Sequence, residues 1–289
     1  MIDALPGDCA DLGEGPVWHA TSGCLFWVDI MRGLVHRYEP STGITRTYPV
    51  GQPVGAVAGM ASGDLLLALR DGFGRLDLAT GAVETTRPLS VNHECGLRMN
   101  DGKCDRRGRF WAGSLALDRR PHVAALHRLD ADGTVHTMLT GVTTSNGLDW
   151  SGDDRHMYYI DSRTRTIDVF DFDLPTGRID NRRPFVRLAD GEGTPDGLTV
   201  DADGYVWVAL WDGGAVRRYA PDGTLKRTIT MPVSRPTSCT FGGPDLRDLY
   251  ITTASTGLSA DARAREPLAG RVLRCRPGPA GRHAHIFAG

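Results

Sequence analysis

The feature that most restricts the fold of this chain is a repeat. Apolar runs built of strand formers recur as LFWVDI from residue 25, DLLLAL from 64, RFWAGS from 109, HMYYID from 156, YVWVAL from 205 and LYITTA from 249. None of them shows a 3.6-residue period, and each has the length and composition of a buried strand. Each is followed by an alternating run that closes on a glycine turn. These runs are LVHRYEPSTG from 34, GFGRLDLATG from 72, ALHRLDADG from 125, IDVFDFDLPTG from 167, AVRRYAPDG from 215 and RVLRCRPGPAG from 271.

A third segment precedes the first in every copy, near Gly15, Val57, Asn100, Asn146, Asp196 and Thr237. Successive copies lie about 40 to 50 residues apart, the span of one four-stranded propeller blade. The pattern predicts an all-β fold, a six-bladed β-propeller with four antiparallel strands per blade, as a single domain over residues 1–289. A blade buries its faces only against its neighbours, so the ring must close. The N-terminal IDAL and the C-terminal HAHIF are expected to share and fasten the last blade.

Composition removes several classes of function. A formal net charge of −2 offers no basic field for nucleic acid or an anionic membrane surface. Only Lys103 and Lys226 are lysines, and the arginines are scattered. The opening MIDALPGDCADLGEGPVW lacks the basic and apolar regions of a signal peptide, and no apolar run approaches the roughly 20 residues of a membrane span. A soluble, cytoplasmic protein is expected, as a monomer or small homo-oligomer without nucleic-acid or membrane partners. Cys9, Cys24, Cys95, Cys104, Cys239 and Cys275 form no CxxC pair and are expected to be free thiols. The histidines show no metal-binding spacing.

Two stretches raise a sharper question. TTSNGLDW (143–150) and GTPDGLTV (193–200) carry Asn-Gly and Asp-Gly, dipeptides that ordinarily mark hairpin turns. Yet Asn146 and Asp196 hold the same phase of consecutive repeats, at the entry to the innermost strand. Glu14 in LGEGPVW and Asn100 in RMNDGKCD hold that phase in the first and third repeats. In a propeller this phase points to the central channel, so the four oxygen-bearing side chains should converge there. An all-oxygen set suits a hard or borderline divalent cation. Crowded carboxylates repel one another and call for such a cation. Arg98 precedes Asn100 by two residues and shares its side of a strand, where it could bind substrate oxygens. His93 and Glu94 could line the rim, whereas Trp111 and Trp207 read as blade-packing residues.

Five segments, LGEGPVWHATSGCLFWVDI, RMNDGKCDRRGRFWAGS, SNGLDWSGDDRHMYYID, PDGLTVDADGYVWVALW and FGGPDLRDLYITTA, resemble the signature segments of the gluconolactonase family that includes regucalcin (senescence marker protein). The resemblance runs in register from Glu14 to the terminal FAG. It implies a six-bladed propeller that hydrolyses a small-molecule sugar lactone with one divalent metal ion, Ca2+, Zn2+, Mn2+, Mg2+ or Fe2+. It also implies Glu14, Asn146 and Asp196 as metal ligands, with Asp196 doubling as the catalytic acid/base. By the same matching Arg98 and Asn100 contact substrate. The family's substrate-side acidic residue falls on Asp118, where Glu is commoner, in a shortened loop from Leu117 to Val123.

The expected reaction is attack of water on the lactone carbonyl, with Asp196 assisting proton transfer and the cation stabilising the developing oxyanion. Arg98, Asn100 and Asp118 would hold the ring hydroxyls, and the product would be an aldonic acid. Two other readings stay open: a metal-dependent esterase or phosphotriesterase on the same propeller, and a non-catalytic Ca2+-binding propeller.

Overall fold

Each of the six repeats folds into one antiparallel four-stranded sheet, and the sheets close into a ring. The computed structural model describes residues 1–89 and 94–289. After β1 (Asp3–Ala4), blade one is β2 (Gly13–His19), β3 (Cys24–Asp29), β4 (Leu34–Glu39) and β5 (Ile44–Pro49). Blade two is β6 (Val54–Gly59), β7 (Leu65–Leu69), β8 (Gly72–Leu76) and β9 (Val83–Pro88). Blade three is β10 (Leu97–Cys104), β11 (Phe110–Ala116), β12 (Ala124–Leu129) and β13 (Val135–Val142). Blade four is β14 (Ser145–Trp150), β15 (His156–Asp161), β16 (Thr166–Asp173) and β17 (Arg178–Arg187). Blade five is β18 (Thr194–Val200), β19 (Val206–Trp211), β20 (Ala215–Tyr219) and β21 (Leu225–Thr230). Blade six joins β22 (Pro236–Gly242), β23 (Asp248–Thr253) and β24 (Leu273–Cys275) to β1, so the N-terminal strand completes the last blade.

The ring explains the sequence pattern. A second strand has a neighbouring blade on either side, so β3 and β7 are buried along their whole length and read as unbroken apolar runs. Outermost strands such as β5 face solvent and are polar. Buried apolar clusters fill the interfaces between neighbouring blades. Phe26 and Val28 of blade one pack with Leu65 and Leu67 of blade two, and Trp18 and Trp27 pack with Tyr250 of blade six. Trp111 and Trp207 are fully buried packing residues, and their indole N–H groups donate to Asp105 and Asp201. Helix α1 (Ala260–Arg265), capped by Ser259, lies between β23 and β24. No described helix is long and apolar enough to cross a membrane. All six cysteines are free, as expected, with Cys9 and Cys95 exposed.

The innermost strands share one irregularity. Pairing with the second strand shifts between Glu14 and Val17, Val54 and Ala56, Met99 and Gly102, Ser145 and Leu148, Pro195 and Leu198, and Pro236 and Ser238. One extra residue there bends the strand and re-aims its side chains. Asn146-Gly147 and Asp196-Gly197 therefore lie inside β14 and β18 and are not hairpin turns. Glycine is required by close approach. A Cβ on Gly147 would sit 2.5 Å from the Leu198 nitrogen and 2.8 Å from the Asp196 carbonyl oxygen of the next blade. One on Gly197 would sit 2.0 Å from Ser238 Oγ.

HAHIF does not join the last blade. β1 already occupies the free edge of β24, and Pro277 and Pro279 end the strand pattern beyond it. The C-terminal segment instead crosses the end of the central channel opposite the candidate site. Ala202 N donates to Ala280 O at 2.9 Å, Gly281 N to Leu246 O at 2.7 Å, Phe287 N to Gly59 O at 2.8 Å and Ala288 N to Gly108 O at 3.0 Å. These partners belong to blades five, six, two and three.

Candidate active site

Glu14, Asn100, Asn146 and Asp196 sit at the bulges of β2, β10, β14 and β18, each 4 to 6% exposed. Arg98 on β10 is buried beside them. The bulge converts a strand that alternates in and out into one whose polar residue faces the axis in blades one, three, four and five.

A chain of hydrogen bonds joins blades three, four and five. Arg98 Nη1 donates to Asn100 Oδ1 at 2.7 Å and to the Met99 carbonyl at 2.9 Å. Asn100 Nδ2 donates to Asn146 Oδ1 at 2.9 Å and to the Ser145 carbonyl at 2.7 Å. Asn146 Nδ2 in turn donates to Ser162 Oγ at 2.8 Å, and Ser162 Oγ donates to the Pro195 carbonyl at 2.7 Å. Asn146 thus has its nitrogen committed on the far side, and its oxygen keeps a further lone pair. The Asn100 oxygen is taken up by Arg98, so its carboxamide braces the cluster through its nitrogen. Sequence reasoning missed Ser162, because an isolated Ser after a strand carries no motif.

The carboxylates are poorly supplied with donors. Glu14 Oε2 accepts the Gly15 N–H at 3.0 Å, and among the described residues none donates a hydrogen bond to the Asp196 carboxylate. Burial, then repulsion from Asp196 and Asp101, raises Glu14 well above the usual carboxylate range. Burial and Asp101 do the same to Asp196, with Arg98 opposing. Asp101, the next residue along from Asn100, is pushed up to about 6, chiefly by burial. Burial lowers Arg98 to about 10, although Glu14 and Asp196 pull the other way.

This donor set fits a divalent cation. Two desolvated, mutually repelling carboxylates and one oriented carboxamide oxygen could each give an oxygen to one ion, which would offset the repulsion. Among the described residues no group of three or more His, Cys, Asp or Glu is placed to hold a metal, so a site here would need a further oxygen, such as that of Asn146, beside the carboxylates. Arg98, desolvated and close to both carboxylates, could meet an oxygen of a bound molecule.

Asp118 lies outside this hydrogen-bonded cluster. It is exposed in the connection between β11 and β12, and its carboxylate takes Arg120 Nε at 2.5 Å and the Arg120 N–H at 3.2 Å. Arg120 also donates to the Cys95 carbonyl at 2.5 Å. Glu94 is exposed, and His93 lies outside the described residues.

A model of the SMP-30/gluconolactonase/LRE-like region matches residues 12–255. The chain belongs to this family. Regucalcin of Xenopus laevis is 38% identical over 94% of this chain and 93% of its own length. YvrE of Bacillus subtilis (strain 168), named provisionally as a sugar lactone lactonase, is 36% identical over 97% of this chain and 96% of its own. Among solved structures, the calcium-binding protein regucalcin from Agrobacterium tumefaciens superposes with a TM-score of 0.95 at 26% identity, covering 99% of this chain and 97% of that one. The matched region of the gluconolactonase family contains every residue of the cluster at the bulges, from Glu14 to Asp196.

Proposed function

We propose that this member of the gluconolactonase family is a divalent-metal-dependent lactonase that opens a sugar lactone to its aldonic acid. The observation that carries the reading is the pair of buried carboxylates, Glu14 and Asp196, short of hydrogen-bond donors beside an orientated Asn146 oxygen. Relatives named for lactonase activity and for calcium binding support it.

In this reading Glu14, Asn146 and Asp196 hold the ion. When bound, the ion would supply Lewis-acid polarisation of a carbonyl and a lowered pKa for a nearby water. Asp196 takes the proton of the attacking water and returns it to the leaving ring oxygen, the work of a positioned general base and acid. Arg98 donates to oxygens of the lactone, and Asn100 holds Arg98 and Asn146 in register. Asp118 contacts substrate from the mouth, which requires it to exchange its Arg120 partner for a ring hydroxyl.

The test is hydrolysis of a panel of sugar lactones beside an aryl ester and an organophosphate, with chelator and with each metal restored. Chelator-sensitive acid release confined to lactones is expected. Faster turnover of the ester or the organophosphate would favour the other hydrolase reading. No hydrolysis with retained Ca2+ binding would favour a non-catalytic propeller.

A further inference from the structure

Below the bulges, the strands that carry Asn100, Asn146 and Asp196 are tied together a second time. Lys103 of β10 donates from Nζ to Asp149 Oδ2 of β14 at 3.0 Å and to the Leu198 carbonyl of β18 at 3.0 Å. Asp149 Oδ2 also accepts the Val200 N–H of β18 at 2.9 Å. Arg282, from the segment that crosses the channel, donates from Nη2 to Asp149 Oδ1 at 3.2 Å and to the Trp150 carbonyl at 2.6 Å. Its Nε and Nη1 reach the Val200 and Ser151 carbonyls at 3.3 and 3.4 Å. Between this level and the bulges lies a cavity of about 50 Å3 lined by Asp101, Lys103, Asp149, Arg282 and His285 among others.

Lys103 follows Asn100 by three residues and Asp149 follows Asn146 by three. At a rise of about 3.3 Å per residue the tie sits about 10 Å beneath the site, on the same strands. We propose that Arg282, Asp149 and Lys103 form a clamp that sets the spacing of β10, β14 and β18, which makes Arg282 a positioning residue for the centre above it. β2, which carries Glu14, receives none of these bonds. The clamp therefore acts on the Asn100, Asn146 and Asp196 side of the cluster. Its catalytic consequence rests on the lactonase reading; its effect on the strands does not.

The experiment compares full-length wild type, Arg282→Ala and Arg282→Lys. The first readout is hydrogen exchange without added cation, in peptides covering 97–104, 145–150 and 194–200, with 24–29 in β3 as control. The second is kcat and KM per folded molecule on the best lactone. For Arg282→Ala, exchange should rise about tenfold in the three clamped strands and stay unchanged in β3. Displacement of reacting groups by an ångström costs up to about 100-fold, so kcat should fall by tenfold or more while KM moves much less. Arg282→Lys should lie between, because it keeps the Asp149 pair but loses the fork to the carbonyls. Unchanged exchange in the three strands overturns the clamp. So does a rate loss explained by the unfolded fraction, with Lys no better than Ala. If Arg282→Ala does not fold, Arg282→Lys and Lys103→Met carry the same two readouts. A wild type inactive on every lactone, with exchange behaving as expected, would sink the lactonase reading and leave the clamp standing.

Discussion

Asn100 donates from Nδ2 to Asn146 Oδ1 at 2.9 Å, so the carboxamides of blades three and four lie joined at the axis. The bond fixes which atom of Asn146 is free to act. Its oxygen is shared between Asn100 and the centre, and its nitrogen is held by Ser162. An asparagine can serve as an oxygen donor only while something prevents its amide from turning over.

That makes Ser162 the residue to remove. Partners that orient a ligand typically govern 10- to 100-fold in metal affinity. Ser162→Ala should weaken Mn2+ or Ca2+ binding by about that factor, measured by titration calorimetry on the folded protein. It should also lower the melting temperature, because the Asn146 amide and the Pro195 carbonyl each lose a buried partner. Affinity equal to wild type would show that Asn100 alone sets the amide.

Glu14→Gln and Asp196→Asn should each lower metal occupancy, measured by elemental analysis after dialysis. Asp196→Asn keeps an oxygen but loses the proton acceptor, so kcat should drop by about 10²- to 10⁴-fold even at saturating metal. Arg98→Ala should instead raise KM and preserve more of kcat, as expected for contacts made equally in ground and transition states. Near-normal kcat in the Asp196→Asn protein would reduce Asp196 to a ligand.

Gly147→Ala tests the close approach of neighbouring inner strands. The added methyl would press on the backbone at Asp196 and Leu198. Overpacking of this kind costs about 1–3 kcal/mol, and here the displaced atoms carry the candidate base. Both the melting temperature and the activity of the folded fraction should fall. A folded fraction with full activity would mean that β18 yields without moving Asp196.

The raised carboxyls set the pH response. Burial above all, then repulsion from neighbouring carboxylates, places Glu14 and Asp196 well above their ordinary range and Asp101 at about 6. A folded-state pKa above the unfolded one gives stability that is full below the unfolded value and lost as pH rises through the folded one. Asp149 has the opposite sign, held low by Lys103 and Arg282 against its burial, and its contribution is lost only in acid below its ordinary range. Between about pH 5 and about pH 8 cation-free wild type should therefore lose melting temperature relative to a Glu14→Gln, Asp196→Asn double variant. His19, His36, His127 and His285, lowered by burial, act in the opposite sense but cancel in that comparison. Added divalent cation should offset the loss at the higher pH and act weakly at the lower, because ligands must be deprotonated to bind. The same pH slope in wild type and the double variant would contradict the assignment.

The propeller was legible because its signal is repeated: strand, turn and phase residue recur in every copy, and each copy corroborates the next. Phase also led from the sequence to Glu14, Asn100, Asn146 and Asp196, which the bulges bring to one axis. Asn146-Gly147 and Asp196-Gly197 have the form of turns, but tertiary approach between blades explains these glycines better than local chain reversal does. The position of HAHIF is not legible in the sequence, because its residues do not reveal that β1 already fills the edge of β24. The tie of Lys103 to Asp149 to Arg282 spans separations of 46 and 133 residues, and no local pattern records it.

The two chain ends close the ring in different ways, one at the outer edge of blade six and the other across the axis to blade three. Three strand spacings alone separate rim from inner strand by about 14 Å, and the channel adds to that. A circular permutant of this chain would need a linker long enough to run from the rim of blade six, past the inner strands, to the far side of the channel. A short linker would have to tear one fastening loose, so new termini are better tolerated here with an extended join than with the tight fusion that suits propellers whose ends meet in one blade.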